Sequence, residues 1–346
     1  MKNQTLPLKY YLELKKKLKK GAYALGVVLL LLFAWELFVP CSLAKAPSAV
    51  YVVQNGEGNK EIATDLKKLG IVRNSLFFRW YVAISGQYAK LQAGKYSVSS
   101  SASVFSLVKK FASGDVIKNR VTVIEGWDAE DISSHLQDIA LYKEEDFLKV
   151  LQQDFNSQFD FLGDKPKDAG LEGYLFPDTY EVSLRETPEE MVQNILANFD
   201  RKLTPDIRKE ISSQGKSIFQ IITMASMIEK EVGLENDKKI VSGILWKRLA
   251  SGMPLQVDAT INYITGSNSG KVVARNTGVD SPYNTYKYRG LPRGPISNPG
   301  MESILASIYP KESDYWYYLS AQSTGKTIFS ATFQEHTRAI AKYLRS

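Results

Sequence analysis

Two glutamates, Glu229 and Glu231, stand two positions apart in the segment IFQIITMASMIEKEVG at 218–233. A carboxyl at the edge of a buried helix loses hydration. Its pKa rises, and it can then hold a proton near neutral pH and deliver it as a general acid. The competing reading is two solvated residues in a last helical turn. The element that must position them is legible in the same stretch. Ile218, Ile221, Ile222, Ala225, Ile228 and Val232 recur at helical spacing and predict a helix with one side in a core, followed by Gly233. Residues two apart on a helix point about 200° apart, so one site is expected to take only one of the two carboxyls. Each has an apolar neighbour on its own face, Ile228 for Glu231 and Ala225 for Glu229. The helix alone therefore leaves both open.

A second group of candidates follows. Gln256 and Asp258 lead through 256–263 into a polar, glycine-rich loop, and then come SPYNTY at 281–286 and GLPRGPISNPG at 290–300. Prolines and glycines at this density exclude a helix or a central strand. A loop of this length in a compact domain is usually functional. Tyr283, Asn284, Tyr286 and Asn298 suit sugar recognition, an aromatic face for a pyranose ring and amides for hydroxyl and acetamido groups. A packed structural loop is the alternative. Asp258 would supply a second carboxylate, which points toward hydrolysis with water.

The composition narrows the chemistry. The chain has 346 residues, 44% hydrophobic and 23% charged, the balance of a globular protein of about two domains. Its net charge of +7 comes almost wholly from residues 1–20, which hold seven lysines against Glu13. The rest is close to neutral, so nucleic acid is not an expected partner. Cys41 is the only cysteine, and His135 and His336 are far apart. No intrachain disulfide, no metal site and no cofactor are expected.

The run GAYALGVVLLLLFAWELFV at 21–39 is long enough to cross a bilayer, at about 1.5 Å per residue. Lysines before it predict a cytoplasmic tail at 1–20, a single-pass membrane helix at 21–40 and an extracytoplasmic remainder. A cleaved signal peptide is the rival, with only Ser42-Leu43-Ala44 as a cleavage site, and Pro40 before Cys41 argues against a lipoprotein. Beyond a short linker, residues 48–116 read as strand, two helices, strand and a third helix, a small module without a catalytic cluster. A second domain, 120–346, holds everything singled out above. It is expected to include a strand at 121–124, a helix at 241–250, a strand pair at 315–319 and 327–330, and a closing helix. The fold class is mixed α+β.

In LEGYLFPDTY at 171–180, ASMIEKEVG at 225–233, LQVDATINY at 255–263, YNTYKYRGLPRGPISNPG at 283–300 and FSATFQEHTRAI at 329–340, the chain resembles the YceG-like family of membrane-anchored endolytic murein transglycosylases. Order, spacing and chain position all agree, strongly over 120–346 and by architecture before that. The resemblance implies a LysM-like, peptidoglycan-binding small module and membrane-bound cell-wall synthases as partners. It implies cleavage between N-acetylmuramic acid and N-acetylglucosamine in nascent strands, leaving 1,6-anhydro ends and terminating glycan elongation. One glutamate then suffices as acid and base, because the C6 hydroxyl of the sugar is its own nucleophile. Glu231 is favoured by helix phase and by the Val232-Gly233 that follows it, and Glu229 is the alternative. One departure is Arg293, where the family usually has a second proline. A hydrolytic muramidase and a non-catalytic peptidoglycan-binding scaffold are the rival functions.

Overall fold

The computed structural model describes residues 8–183, 185–266, 277–321 and 326–343. Most of the glycine-rich loop expected after Tyr263 lies outside them. The chain divides into two compact units, one formed by residues up to 119 with 183–185, the other by 120–182 with 186–346.

The first unit opens with helix α1 (Leu8–Phe38). Within its segment Lys15–Phe38 an 18-residue window has a mean hydropathy of 2.0 and is almost wholly exposed. Among the described residues it is the one helix long and apolar enough to cross a membrane. Then come β1 (Ala49–Val53), α2 (Asn59–Lys68), α3 (Ser75–Ile84), β2 (Gly94–Val98) and α4 (Val104–Ser113). β1 and β2 pair antiparallel with Tyr51 opposite Tyr96. Local chemistry starts and stops the helices. The Asn74 side chain accepts from the Leu76 N–H and the Ser103 side chain from the Ser106 N–H. Gly114, at φ 66°, closes α4 in the left-handed region that glycine adopts without a steric penalty. Ile62, Leu66, Phe78, Val82, Leu107 and Phe111 form the core.

In the second unit, β3 (Lys118–Thr122) pairs with β4 (Thr179–Ser183), and α5 (Ala129–Asp138) and α6 (Glu144–Val150) lie between them in the chain. Four helices follow, α7 (Pro188–Lys202), α8 (Pro205–Ser213), α9 (Ile218–Glu231) and α10 (Glu235–Ala250). Then come α11 (Asp258–Thr265), α12 (Met301–Ile308), the antiparallel pair β5 (Tyr317–Ala321) and β6 (Lys326–Ser330), and α13 (Phe333–Tyr343). Among the described residues the strands form three two-stranded sheets, and helices dominate. This is the mixed α+β architecture expected.

Helix α9 lies at the centre. It was expected to bury one side, but every residue from Ile221 to Ile228 is buried, because α8, α10, α11 and α12 all pack against it. Four other elements differ from the expectation, one of them the strand expected at 315–319, which runs from Tyr317 to Ala321. The strand expected at 121–124 runs instead from Lys118 to Thr122, since Ile124 already accepts the Trp127 N–H in a turn. Helix α10 begins six residues before 241, its first turns carrying the polar run ENDKK with no apolar period to reveal them. The stretch after Gln256, read as a lead-in to a loop, is helical from Asp258.

Candidate active site

Helix α9 is fixed at both ends. At its start the Ser217 side chain accepts from the Gln220 N–H, and Gln220 accepts from the Ser217 N–H, a reciprocal cap. At its end Glu231 is the last helical residue. Its main-chain carbonyl, which has no partner within the helix, accepts from the Ser320 hydroxyl on β5 at 2.9 Å. The position of the Glu231 side chain is therefore set by a fully packed helix and a hydrogen bond from a different element.

The Glu231 Oε1 accepts from the main-chain N–H of Ala259 at 3.2 Å, in the first turn of α11. The Tyr318 hydroxyl faces the same carboxyl at the edge of hydrogen-bonding geometry, buried and without another partner. Asp258 contributes its charge from the start of α11. Burial first, and the Asp258 charge second, push the Glu231 carboxyl up to about 7, while the Ala259 N–H and Tyr318 pull it back. Asp258 in turn accepts a short hydrogen bond from the Tyr286 hydroxyl. Arg248 of α10 is buried nearby and tied to main chain, its Nε donating to the Trp316 carbonyl at 2.8 Å and its Nη1 to the Leu255 carbonyl at 2.7 Å. It braces the segment before α11 against the start of β5.

Glu229 points elsewhere. Its Oε1 accepts from Lys238 Nζ at 3.1 Å and its Oε2 from the Gly300 N–H at 2.9 Å. The Glu229 and Lys238 side chains are only 8% and 3% exposed. Both oxygens are occupied, and the pair joins the end of α9 to α10 and to the start of α12. The two glutamates have no hydrogen-bond partner in common, as the 200° between them requires.

The remaining candidates separate in the same way. Gln256, two residues before Asp258, is exposed, and its backbone sits at φ +52°, a conformation uncommon for a side chain with a Cβ. Its N–H donates to the Thr285 carbonyl, so the strained residue is locked to the SPYNTY segment. Tyr283 is half-buried, its ring 5.1 Å from that of Tyr263 on α11. Asn284 and Asn298 are fully buried. The Asn284 amide donates to the carbonyls of Thr277 and Val279 and accepts from the N–H groups of Tyr286 and Lys287. The Asn298 amide accepts from Leu175 N–H at 2.8 Å and donates to Trp127 O and Glu172 Oε1. Both amides spend their hydrogen-bonding capacity inside the protein, which is the packed-loop alternative. Arg293 pairs with Asp168 at the surface and its N–H donates to the Pro282 carbonyl.

Two residues near the site were not anticipated. Tyr318 lies in an alternating aromatic strand, the usual pattern of a core. Glu172, in LEGYLFPDTY, is a second buried carboxyl. Its oxygens accept from the Ala129 N–H and the Asn298 amide, both at 2.9 Å, and burial pushes it up to about 8. Its neighbour Gly173 could not carry a side chain. It lies at φ +87°, and a Cβ there would fall 2.5 Å from Pro295. Among the described residues no cluster of histidine, cysteine and carboxylates could hold a metal ion.

The family model described as YceG-like matches residues 51–342. An endolytic murein transglycosylase of Bacillus subtilis is 32% identical over 85% of this chain and 84% of its own length. One of Streptococcus pneumoniae is 31% identical over 85% of this chain, which spans only 58% of that longer protein. A crystal structure of a YceG-like protein from Listeria monocytogenes superposes with a TM-score of 0.59 at 31% identity, covering 85% of this chain and 99% of the other.

Proposed function

The chain belongs to the YceG-like family, and from that premise we propose that it is an endolytic peptidoglycan lytic transglycosylase, a lyase that uses Glu231 as its one acid and base. In the first step the Glu231 carboxyl gives its proton to the glycosidic oxygen as the bond from that oxygen to C1 of N-acetylmuramic acid breaks. The N-acetylglucosamine hydroxyl leaves, and positive charge develops at C1. In the second step the Glu231 carboxylate takes the proton of the C6 hydroxyl of the same sugar. The C6 oxygen bonds to C1, closing a 1,6-anhydro ring and restoring the acid. No water is consumed.

The observation that carries this reading is one buried carboxyl held near neutrality, with a single fixed main-chain donor on one oxygen. A group that must be acid and then base works best when its pKa is close to the working pH. Glu229 has both oxygens occupied by Lys238 and Gly300. Glu172 has both occupied by Ala129 and Asn298. We assign these two to holding the fold. Asp258 is engaged by the Tyr286 hydroxyl, which favours a supporting role over that of a second catalytic carboxylate. We assign the contacts with the glycan to Gln256, Tyr283 and Tyr286. Helix α1 would anchor the enzyme in the cytoplasmic membrane with its lysines inside, bringing the catalytic unit to nascent glycan and to the membrane-bound synthases that make it. The first unit would serve as the LysM-like peptidoglycan-binding module.

Incubation of the purified protein with uncrosslinked glycan strands, followed by mass spectrometry, tests the reaction. Internal cuts ending in 1,6-anhydro-N-acetylmuramic acid, lost in Glu231→Gln, are expected. Ends that have gained water would make the protein a muramidase, and no cleavage would leave a binding scaffold. Retained cleavage in Glu231→Gln with loss in Glu229→Gln would move the acid.

A further inference from the structure

Helix α3 carries an apolar face that its own unit does not cover. Phe78 and Val82 point into the core, while Leu76, Trp80 and Ile84, four residues apart on the opposite face, are 56%, 66% and 69% exposed. Tyr88, just beyond the helix, is also exposed. Its sequence, SLFFRWYVAI, has no acidic residue, and Arg79 is its one charge. Single exposed apolar residues are ordinary on a protein surface, but a continuous stripe on one helix marks a surface that something covers.

What covers it follows from where α1 ends. The rings of Phe33 on α1 and Phe77 on α3 are 5.8 Å apart. Phe38, the last residue of α1, contacts Phe105 of α4 at 5.5 Å, and Phe105 contacts Tyr81 of α3 at 6.1 Å. Arg73, just before α3, donates to the carbonyls of Val39 and Pro40, where α1 has ended. Helix α3 is thus braced directly against the last turns of α1. Lys20, the last of the lysines, is separated from Phe33 by about 20 Å of helix, whereas the hydrocarbon layer of a bilayer is about 30 Å thick. With the lysines at one interface, Phe33 comes within about 10 Å of the other, and the helix packed on it is brought to the membrane surface.

We propose that α3 lies in the lipid headgroup region beside the exit of α1, with Leu76, Trp80 and Ile84 facing the acyl chains. The occupant of this face is the bilayer itself, and the inference rests on the reading of α1 as an uncleaved membrane anchor. Trp80, Tyr81, Phe38 and Trp35 then form an aromatic group at the interface, where amphipathic rings collect. The absence of carboxylates on α3 and the presence of Arg79 suit an anionic lipid surface. A single spanning helix leaves an attached module free to swivel. A second, in-plane contact on α3 fixes the orientation of the first unit relative to the membrane.

The test uses the full chain with Cys41→Ser, reconstituted in vesicles of phosphatidylglycerol and phosphatidylethanolamine. Nitroxide labels are placed one at a time at Leu76→Cys, Trp80→Cys and Ile84→Cys. Leu30→Cys on α1 and Lys60→Cys on α2 serve as references, and collision rates with oxygen and with a water-soluble nickel chelate are compared. Oxygen is expected to dominate at 30, 76, 80 and 84, and the nickel chelate at 60. Nickel-accessible labels at 76, 80 and 84 with a lipid-exposed label at 30 would overturn this proposal and leave the anchor standing. A nickel-accessible label at 30 would instead overturn the anchor reading, and this proposal with it. Labels at 76, 80 and 84 shielded from both reagents would mean that a protein surface covers α3, which also overturns it.

Discussion

If burial holds Glu231 near neutrality, removing its ability to ionise must change stability in a pH-dependent way. The carboxyl rises from 4.5 to about 7 on folding, with burial as the first cause and Asp258 as the second. Between those values the folded chain holds a proton that the unfolded chain releases, so stability falls as pH rises through that window. Below about pH 4 both states are protonated and the penalty is absent; above about pH 8 it is complete. A shift of this size corresponds to about 3 kcal/mol at 1.4 kcal/mol per unit. Glu231→Gln keeps an oxygen for the Ala259 N–H but cannot ionise. The variant should be inactive, close to the parent in stability at pH 4, and more stable at pH 8 by about 3 kcal/mol, or roughly 6–12 °C in melting temperature for a unit of this size. The assay is thermal unfolding of both proteins in detergent from pH 4 to 8, followed by near-ultraviolet circular dichroism. Only the difference between the two curves matters, which cancels the titrations that do not couple to Glu231. A gain equal at pH 4 and pH 8 would trace the effect to packing. No gain at pH 8 would mean that the carboxyl is not held against ionisation, and the assignment of Glu231 as a neutral-pH acid would lose its physical basis.

Asp258→Asn removes the charge that helps to keep Glu231 protonated, so the alkaline limb of the kcat/KM profile should move to lower pH; an unmoved limb would dismiss the coupling. Glu229→Gln leaves the buried Lys238 paired only with the more exposed Glu302, 3.6 Å away, so a clear drop in melting temperature, up to the about 3–5 kcal/mol of a broken buried pair, with cleavage persisting in the fraction that remains folded is expected. Gly173→Ala forces a Cβ against Pro295 at a left-handed backbone, and should destabilise by about 2–4 kcal/mol in the same assay, combining backbone strain with overpacking.

The glutamates, the helix that carries them and the mixed α+β class were legible because each is written in local pattern: a helical period, a closing glycine, short strands between turns. What surrounds Glu231 was not. Ala259 meets Glu231 from 28 positions on and Tyr318 from 87, and neither residue type signals such a role. The helix that presents Ala259 was hidden because LQVDATINY opens on a short apolar-polar alternation and runs into glycines. In the sequence, Asn284 and Asn298 show only what an amide can offer a sugar. Burial turned them inward, because loops without regular hydrogen bonding need side chains to satisfy their backbone. Lys238 sits in a polar run that looks solvated, and only the tertiary fold shows that it is 2% exposed.

The placement of Glu231 at the last position of α9 has a consequence that burial alone does not. The C-terminal end of a helix carries partial negative charge and disfavours an adjacent carboxylate, while the N-terminal end of another carries partial positive charge and favours one. Here the two ends meet at one side chain. Glu231 closes α9, and its Oε1 rests on the first turn of α11 through Ala259. Burial and the Asp258 charge load the proton, and the Ala259 N–H at the start of α11 with Tyr318 steadies the anion once the proton has gone. The first set outweighs the second but not completely, which leaves the group near 7 and keeps both half-reactions of the proposed mechanism accessible. Two residues back, the same helix uses Glu229 to fasten its end to α10 and α12. The spacing of two puts these jobs on opposite sides of α9, so that the clamp holds the proposed acid in place without competing for its proton.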